Sequence, residues 1–149
     1  AHYLDMSNGS VRLPFELPFD AAKLTRLTIA ACGTAYYAGL VAKYWFERFA
    51  RIPVEIDVAS EFRYRDPPLP DDGLMIVVSQ SGETADTLAA LRHCKMHDQT
   101  IAVVVNVPTS SMAREADLLL PNSFFVISPS VRQSVKSVSY LPSFLIMLP

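Results

Sequence analysis

Short apolar runs along this chain alternate with segments in which apolar residues recur every three or four positions. Leu27-Thr28-Ile29-Ala30-Ala31 reads as a short buried strand that breaks at Gly33. From Tyr36 to Phe49, residues Tyr37, Ala38, Val41, Ala42, Trp45 and Phe49 fall at helical spacing, which predicts a helix with that set turned inward. Val54 to Val58 alternates apolar with polar residues, as a half-buried or edge strand does, and Ser60 to Tyr64 has room for a single helical turn. The proline-rich stretch Arg65 to Gly73 is a loop. Leu74-Met75-Ile76-Val77-Val78 is the most apolar strand. It leads through the loop Ser79 to Gly82 into a helix from Glu83 to about His97, with Ala85, Leu88, Ala89 and Leu91 for its inner face. Thr100 to Val105 is the next strand, Ser110 to Glu115 a short helix, and Asp117 to Leu120 a fifth strand. Ahead of all this, Pro14 and Pro18 restrict helix and leave an extended lead-in over residues 1–26.

Strands alternating with helices make an α/β chain: a three-layer αβα sandwich around a mainly parallel, about five-stranded sheet. Its domain is expected over residues 27–121. At 149 residues, 50% hydrophobic and 19% charged, the chain has the composition of one well-buried domain. Thirteen Lys and Arg against fifteen Asp and Glu include no basic run, so no nucleic-acid partner is expected. The two cysteines, Cys32 and Cys94, do not form the dense framework of a small secreted domain, which favours a cytoplasmic setting. Neither a signal peptide nor a run near ~18 apolar residues is present, so no membrane partner is expected. Ala1 is not a natural start, and the chain is expected to be a piece of something longer.

In parallel sheets of this kind the ligand lies beyond the carboxyl ends of the strands, near the point where the strand order reverses. Two loops there are rich in hydroxyls and glycine, Cys32-Gly33-Thr34-Ala35 and Ser79-Gln80-Ser81-Gly82-Glu83-Thr84. The second runs from a buried strand into a helix whose first amides lack intrahelical partners, a natural seat for an anion. Ser79, Ser81 and Thr84 add hydroxyls, and Gly82 lets the backbone approach a ligand without a Cβ in the way. The loop lacks the lysine of a nucleotide P-loop and the spacing of a dinucleotide fingerprint, so no cofactor is expected and a phosphomonoester is the better ligand. The bland alternative is that Ser81 merely caps the helix and Thr84 is an ordinary first-turn residue.

These loops, with Ser60-Glu61-Phe62-Arg63-Tyr64-Arg65, Ala85-Asp86-Thr87-Leu88, Asn106-Val107-Pro108 and Arg114-Glu115-Ala116-Asp117, resemble the sugar isomerase (SIS) family, and within it the isomerase half of its hexose-phosphate aminotransferases. The likeness runs over about residues 10 to 121. It implies a flavodoxin-like SIS fold in which Ser79, Gln80, Ser81 and Thr84, with Thr34 nearby and Gly33 and Gly82 in support, hold the phosphate of fructose 6-phosphate or glucosamine 6-phosphate. It implies no catalytic residue in this stretch: the acid and base groups would belong to a second SIS half, ammonia would come from a separate glutaminase domain, and the intact enzyme would be a homodimer. A non-enzymatic SIS module that senses a sugar phosphate is the alternative, disfavoured by the Ser60 to Arg65 segment. Ala35 departs from the family, where serine often stands; one lost neutral hydrogen bond costs on the order of 1 kcal/mol.

The resemblance stops near Pro121. Leu118 to Pro149 contains no Asp, Glu or Gly and is rich in serine, so residues 122–149 are expected to be an atypical and non-native tail, as a frame shift or cloning junction would give. Elsewhere, Cys32 reads as a small buried residue rather than a nucleophile. His93 and His97 have the four-residue spacing of a metal pair, but no third ligand stands in the pattern, so no metal site is expected. Tyr36, Tyr37, Tyr44, Trp45, Phe46 and Phe49 crowd one helix and read mainly as core, with a partner surface as the alternative. Arg63, Arg65 and Asp66 are either ligand contacts or solvated charges.

Overall fold

A computed structural model describes residues 16–121, together with the backbone of two short strands, Leu4–Asp5 and Ser10–Val11, paired antiparallel. The expected tail, 122–149, and residues 1–3, 6–9 and 12–15 of the lead-in lie outside the described residues. Five parallel strands form the main sheet: β1 (Arg26–Ala31), β2 (Val54–Val58), β3 (Gly73–Ser79), β4 (Thr100–Val105) and β5 (Leu118–Pro121). Their order across the sheet is β2-β1-β3-β4-β5, the flavodoxin-like doubly wound arrangement. The register aligns Ala31 with Val78, Val78 with Val104, and Ser79 with Val105, so the loops after β1, β3 and β4 leave the sheet at one level.

Among the described residues four α-helices cover the two faces: α1 (Thr34–Trp45), α2 (Ala59–Arg65), α3 (Ala85–Met96) and α4 (Ser111–Glu115). Alternate residues of β3 serve opposite cores, as the pleat requires. Met75 and Val77 join Phe62, Ala90, Leu91, Cys94 and Met112 beneath α2, α3 and α4. Leu74 and Ile76 join Ile29, Ala42 and Leu118 beneath α1, where Leu17, Phe19 and Leu24 of the lead-in also pack. Among the described residues no helix is long and apolar enough to cross a membrane.

The elements stand where the pattern predicts them; several faces and ends do not. α1 begins at Thr34 and runs on through a π-helical turn, Phe46–Ala50. Its buried residues are Gly39 and Ala42, while Tyr37 is 67% exposed, Val41 46%, Tyr44 69% and Phe49 55%. The reason is closeness. A Cβ on Gly39 would stand 2.5 Å from Ile56 Cδ1 and 3.1 Å from Ile29 Cγ2, so the helix docks on its smallest residues and Tyr37, Val41, Tyr44 and Phe49 are left facing out. α2 has seven residues rather than one turn, held by the fully buried Phe62. α3 starts at Ala85 instead of Glu83 and buries Thr87, Ala90, Leu91 and Cys94; Ala85 is exposed, and Leu88 and Ala89 are half-buried. The true face is offset from the predicted one because Thr87, polar by type, and the small Cys94 point inward. Asp117 lies just before β5, and its carboxylate accepts a hydrogen bond from the Ile101 amide at 2.8 Å.

Phe62 packs α2 onto α3 and is fully enclosed. Phe62→Ala should lower the unfolding free energy by about 3–5 kcal/mol in urea titrations followed by circular dichroism.

Candidate functional site

β1 leads to a helix on one face of the sheet and β3 to a helix on the other, so the strand order reverses between them. The loops Cys32 to Thr34 and Ser79 to Thr84 open into that crevice. Ala31 and Val78 end side by side, and Thr87 Oγ1 donates to Cys32 Sγ at 3.6 Å, tying the first turn of α3 to the β1 loop. Gly33 has φ +57° and turns the chain from β1 into α1, with open space beside it. Thr34 follows, exposed at the helix start, and Ala35 is half-buried.

The β3–α3 loop is braced by its own hydroxyls. Ser79, 6% exposed, accepts a hydrogen bond from the Gly82 amide at 3.1 Å, and its hydroxyl lies 3.4 Å from Thr84 Oγ1. Ser81 Oγ accepts from the Glu83 amide at 3.2 Å. The N-cap of α3 is thus Thr84, not Ser81, and Thr84 makes no side-chain cap. The first intrahelical bond runs from the Leu88 amide to the Thr84 carbonyl, so the amides of Ala85, Asp86 and Thr87 have no acceptor within the helix. Gln80, Ser81 and Thr84 are exposed around this opening. No lysine or arginine stands in the loop, and Asp86 lies in the first turn of α3, so hydroxyl and amide donors rather than net charge must carry any anion selectivity.

Two supports were not legible in the sequence. Gly82 has φ +68°, and a Cβ there would fall 2.1 Å from Ser110 Oγ and 2.5 Å from Ser110 Cβ. Ser110 is buried, caps α4 by accepting from the Ala113 amide at 3.4 Å, and forms the wall against which the loop folds. Glu83 reaches the same segment: its carboxylate accepts from the Ser111 amide at 2.7 Å, and the Met112 amide donates to the Gly82 carbonyl at 3.2 Å. The Ser111 hydrogen bonds, and behind them Arg114, hold the Glu83 carboxyl below the usual range. The Asn106 amide donates to the Gln80 carbonyl at 3.2 Å, which adds the end of β4 to the same frame.

Other candidates fall elsewhere. Arg65 forms ion pairs with Glu55 at 2.5 Å and Asp57 at 2.7 Å, which bind α2 to β2 and raise its pKa, Glu55 contributing most. Arg63 stacks over the Tyr64 ring at 4.6 Å. Cys94 is fully buried, and burial pushes its thiol up to about 12, so it is not ionised at neutral pH and is no nucleophile. Cys32 is half-buried, less enclosed than the sequence reading had it. A cavity of about 400 Å³ lined by Pro18, Lys95, Gln99, Thr100 and Asp117 lies at the opposite edge, where β4 begins, away from the strand ends.

An open helix start, braced by hydroxyls, stands at the switch point of the parallel sheet in a doubly wound α/β domain. The chain belongs to the SIS domain family, whose sequence description it matches over residues 22–143. It is 66% identical over 119 residues to the glutamine–fructose-6-phosphate aminotransferase (isomerizing) of Zymomonas mobilis, covering 80% of this chain and 19% of that one. Among solved structures, the C-terminal domain of glucosamine-fructose-6-phosphate aminotransferase from Francisella tularensis superposes with a TM-score of 0.63 at 45% identity, over 68% of this chain and 29% of that one. A glucosamine-6-phosphate deaminase from Thermotoga maritima matches with a TM-score of 0.62 at 27% identity, over 70% of this chain and 32% of that one. The chain thus spans about one fifth of the length of the aminotransferase it matches.

Two outcomes follow from the bracing. Gly82→Ala forces a side chain into Ser110 at positive φ and should cost about 1–3 kcal/mol in thermal or urea unfolding, with partial recovery when Ser110→Gly removes the obstructing hydroxymethyl group. The Glu83 carboxyl, held below its ordinary 4.5, stabilises the fold above that value and loses the contribution as pH falls through its lower folded value. Melting temperature plotted against pH should therefore drop less steeply on the acid side in Glu83→Ala than in the unaltered protein.

Proposed function

We propose that this chain is the first sugar-phosphate-binding half of the isomerase portion of an enzyme that makes glucosamine 6-phosphate and glutamate from fructose 6-phosphate and glutamine. The observation that carries the reading is the uncapped start of α3, ringed by Ser79, Ser81 and Thr84, at the point where the strand order reverses. A phosphate dianion there meets the first-turn amides of α3 and the positive end of its dipole. The hydroxyls of Ser79, Ser81 and Thr84 and the amide of Gln80 donate to its oxygens, Thr34 faces it across the crevice, and Gly33 and Gly82 allow the two loops to close in. The similarity to aminotransferases of this specificity supports the choice of sugar phosphate.

In this reading the chain binds and does not catalyse. Proton transfer at the sugar carbons falls to a second SIS half, and ammonia to a glutaminase domain. The exposed stripe Tyr37, Val41 and Tyr44 on α1 supports packing against another part of the enzyme or its homodimeric partner, in the cytoplasm. The binding unit is residues 27–121, preceded by the lead-in 1–26 and followed by the atypical stretch 122–149.

Calorimetry with the chain and glucosamine 6-phosphate tests the reading. Saturable heat is expected with the phosphorylated sugar and none with glucosamine. Ser81→Ala and Thr84→Ala should each weaken binding roughly fivefold, the worth of about one neutral hydrogen bond. Silence at millimolar ligand, or affinity untouched by both substitutions, overturns it.

A further inference from the structure

The histidine pair that lacked a third ligand in the sequence acquires one in the fold. Asp66, in the loop after α2, meets His93 and His97 at the end of α3, and one donor atom from each residue lies within 4.8 Å of the others. His93 Nε2 stands 3.2 Å from Asp66 Oδ1, and the two imidazole rings lie 4.6 Å apart, tilted by 46° rather than stacked.

Three features mark this cluster as more than a chance surface meeting. His93 Nε2 is shielded from solvent and makes no hydrogen bond, although the Asp66 carboxylate is beside it. An unmet buried ring nitrogen is unfavourable, and a bound cation would satisfy it. His97 Nδ1 lies 2.9 Å from the His93 carbonyl oxygen; donating there, it leaves Nε2 with its lone pair free, the arrangement by which metal-ligating histidines are oriented. The rings of His93 and Phe62 also meet in a T-shaped pair, centroids 6.0 Å apart at 86°, which helps hold the imidazole in place. Two donors bound to one tetrahedral ion at about 2.0–2.1 Å stand roughly 3.3 Å apart, close to the separation of His93 Nε2 from Asp66 Oδ1.

We propose that Asp66, His93 and His97 bind one divalent transition-metal ion, zinc or a similar borderline cation. Two imidazoles and one carboxylate select such an ion over magnesium or calcium, which take oxygen donors. The fourth position is left to water. The ion sits at the carboxyl-terminal end of α3, where the helix dipole favours positive charge. α3 has twelve residues, so the site is about 18 Å along the helix from the phosphate loop at its other end. It is a structural clamp: it joins the loop after α2 to the last turn of α3 and takes no part in sugar chemistry.

The test uses the full chain, stripped with chelator and titrated with zinc chloride alone. Calorimetry should give one zinc per chain, melting temperature should rise on addition, and cobalt(II) should give visible absorption of a tetrahedral centre. His97→Ala, His93→Ala and Asp66→Asn should each weaken zinc binding at least tenfold. His97 and Asp66 are exposed, so their variants fold. Absence of saturable zinc binding, or binding undiminished by both His97→Ala and Asp66→Asn, overturns the proposal. Because the readouts are zinc heat, cobalt absorption and melting, failure here is separate from any result with glucosamine 6-phosphate.

Discussion

Thr84 heads α3 but does not cap it; its hydroxyl lies beside Ser79 instead. That choice leaves the first-turn amides of α3 without side-chain partners, and much of the surrounding structure serves to keep the opening in shape. A loop with unmet amides is held only if its neighbours are fixed. Ser79 is fixed because it is the last residue of the most buried strand, in register with Val105. Gly82 is fixed because Ser110 fills the space a side chain would need. Glu83 is fixed by the Ser111 amide. The short helix α4, which looks like a mere connector, is therefore the back wall of the site.

The two ends of α3 carry opposite partial charges and present different groups. The amino-terminal end offers amides and hydroxyls to an anion, whereas the carboxyl-terminal end gathers His93 and His97 beside Asp66. The helix dipole favours both arrangements at once. Phe62 packs α2 against α3 and also supports His93. Arg65, paired with Glu55 and Asp57, holds the same short helix to the edge strand β2. These ion pairs are partly exposed and each is worth little alone, but they meet on one side chain and orient α2 as a unit.

The exposed face of α1 shows how a single glycine redirects a helix. Gly39 admits Ile56 and Ile29 so closely that the helix meets the sheet there through its backbone. Tyr37, Val41 and Tyr44 are turned outward as a result, the kind of surface a larger assembly covers.

Strand positions and types were legible from the chain alone, because a strand buried on both faces must be apolar throughout and a helix must repeat every three or four residues. The hydroxyl-rich loop from Ser79 to Thr84 was legible for a similar reason: residue type and position after a strand state its chemistry locally. Which face each helix turned inward was not. Helical spacing says that residues share a face, but Gly39, Thr87 and Cys94 win their inward positions through fit against particular neighbours. The wall at Ser110 and the approach of Asp66 to His93 also join residues 28 and 27 positions apart, Gly82 to Ser110 and Asp66 to His93. No local pattern records such distances. Only the parallel register and the docking of α2 and α4 against α3 bring those residues together.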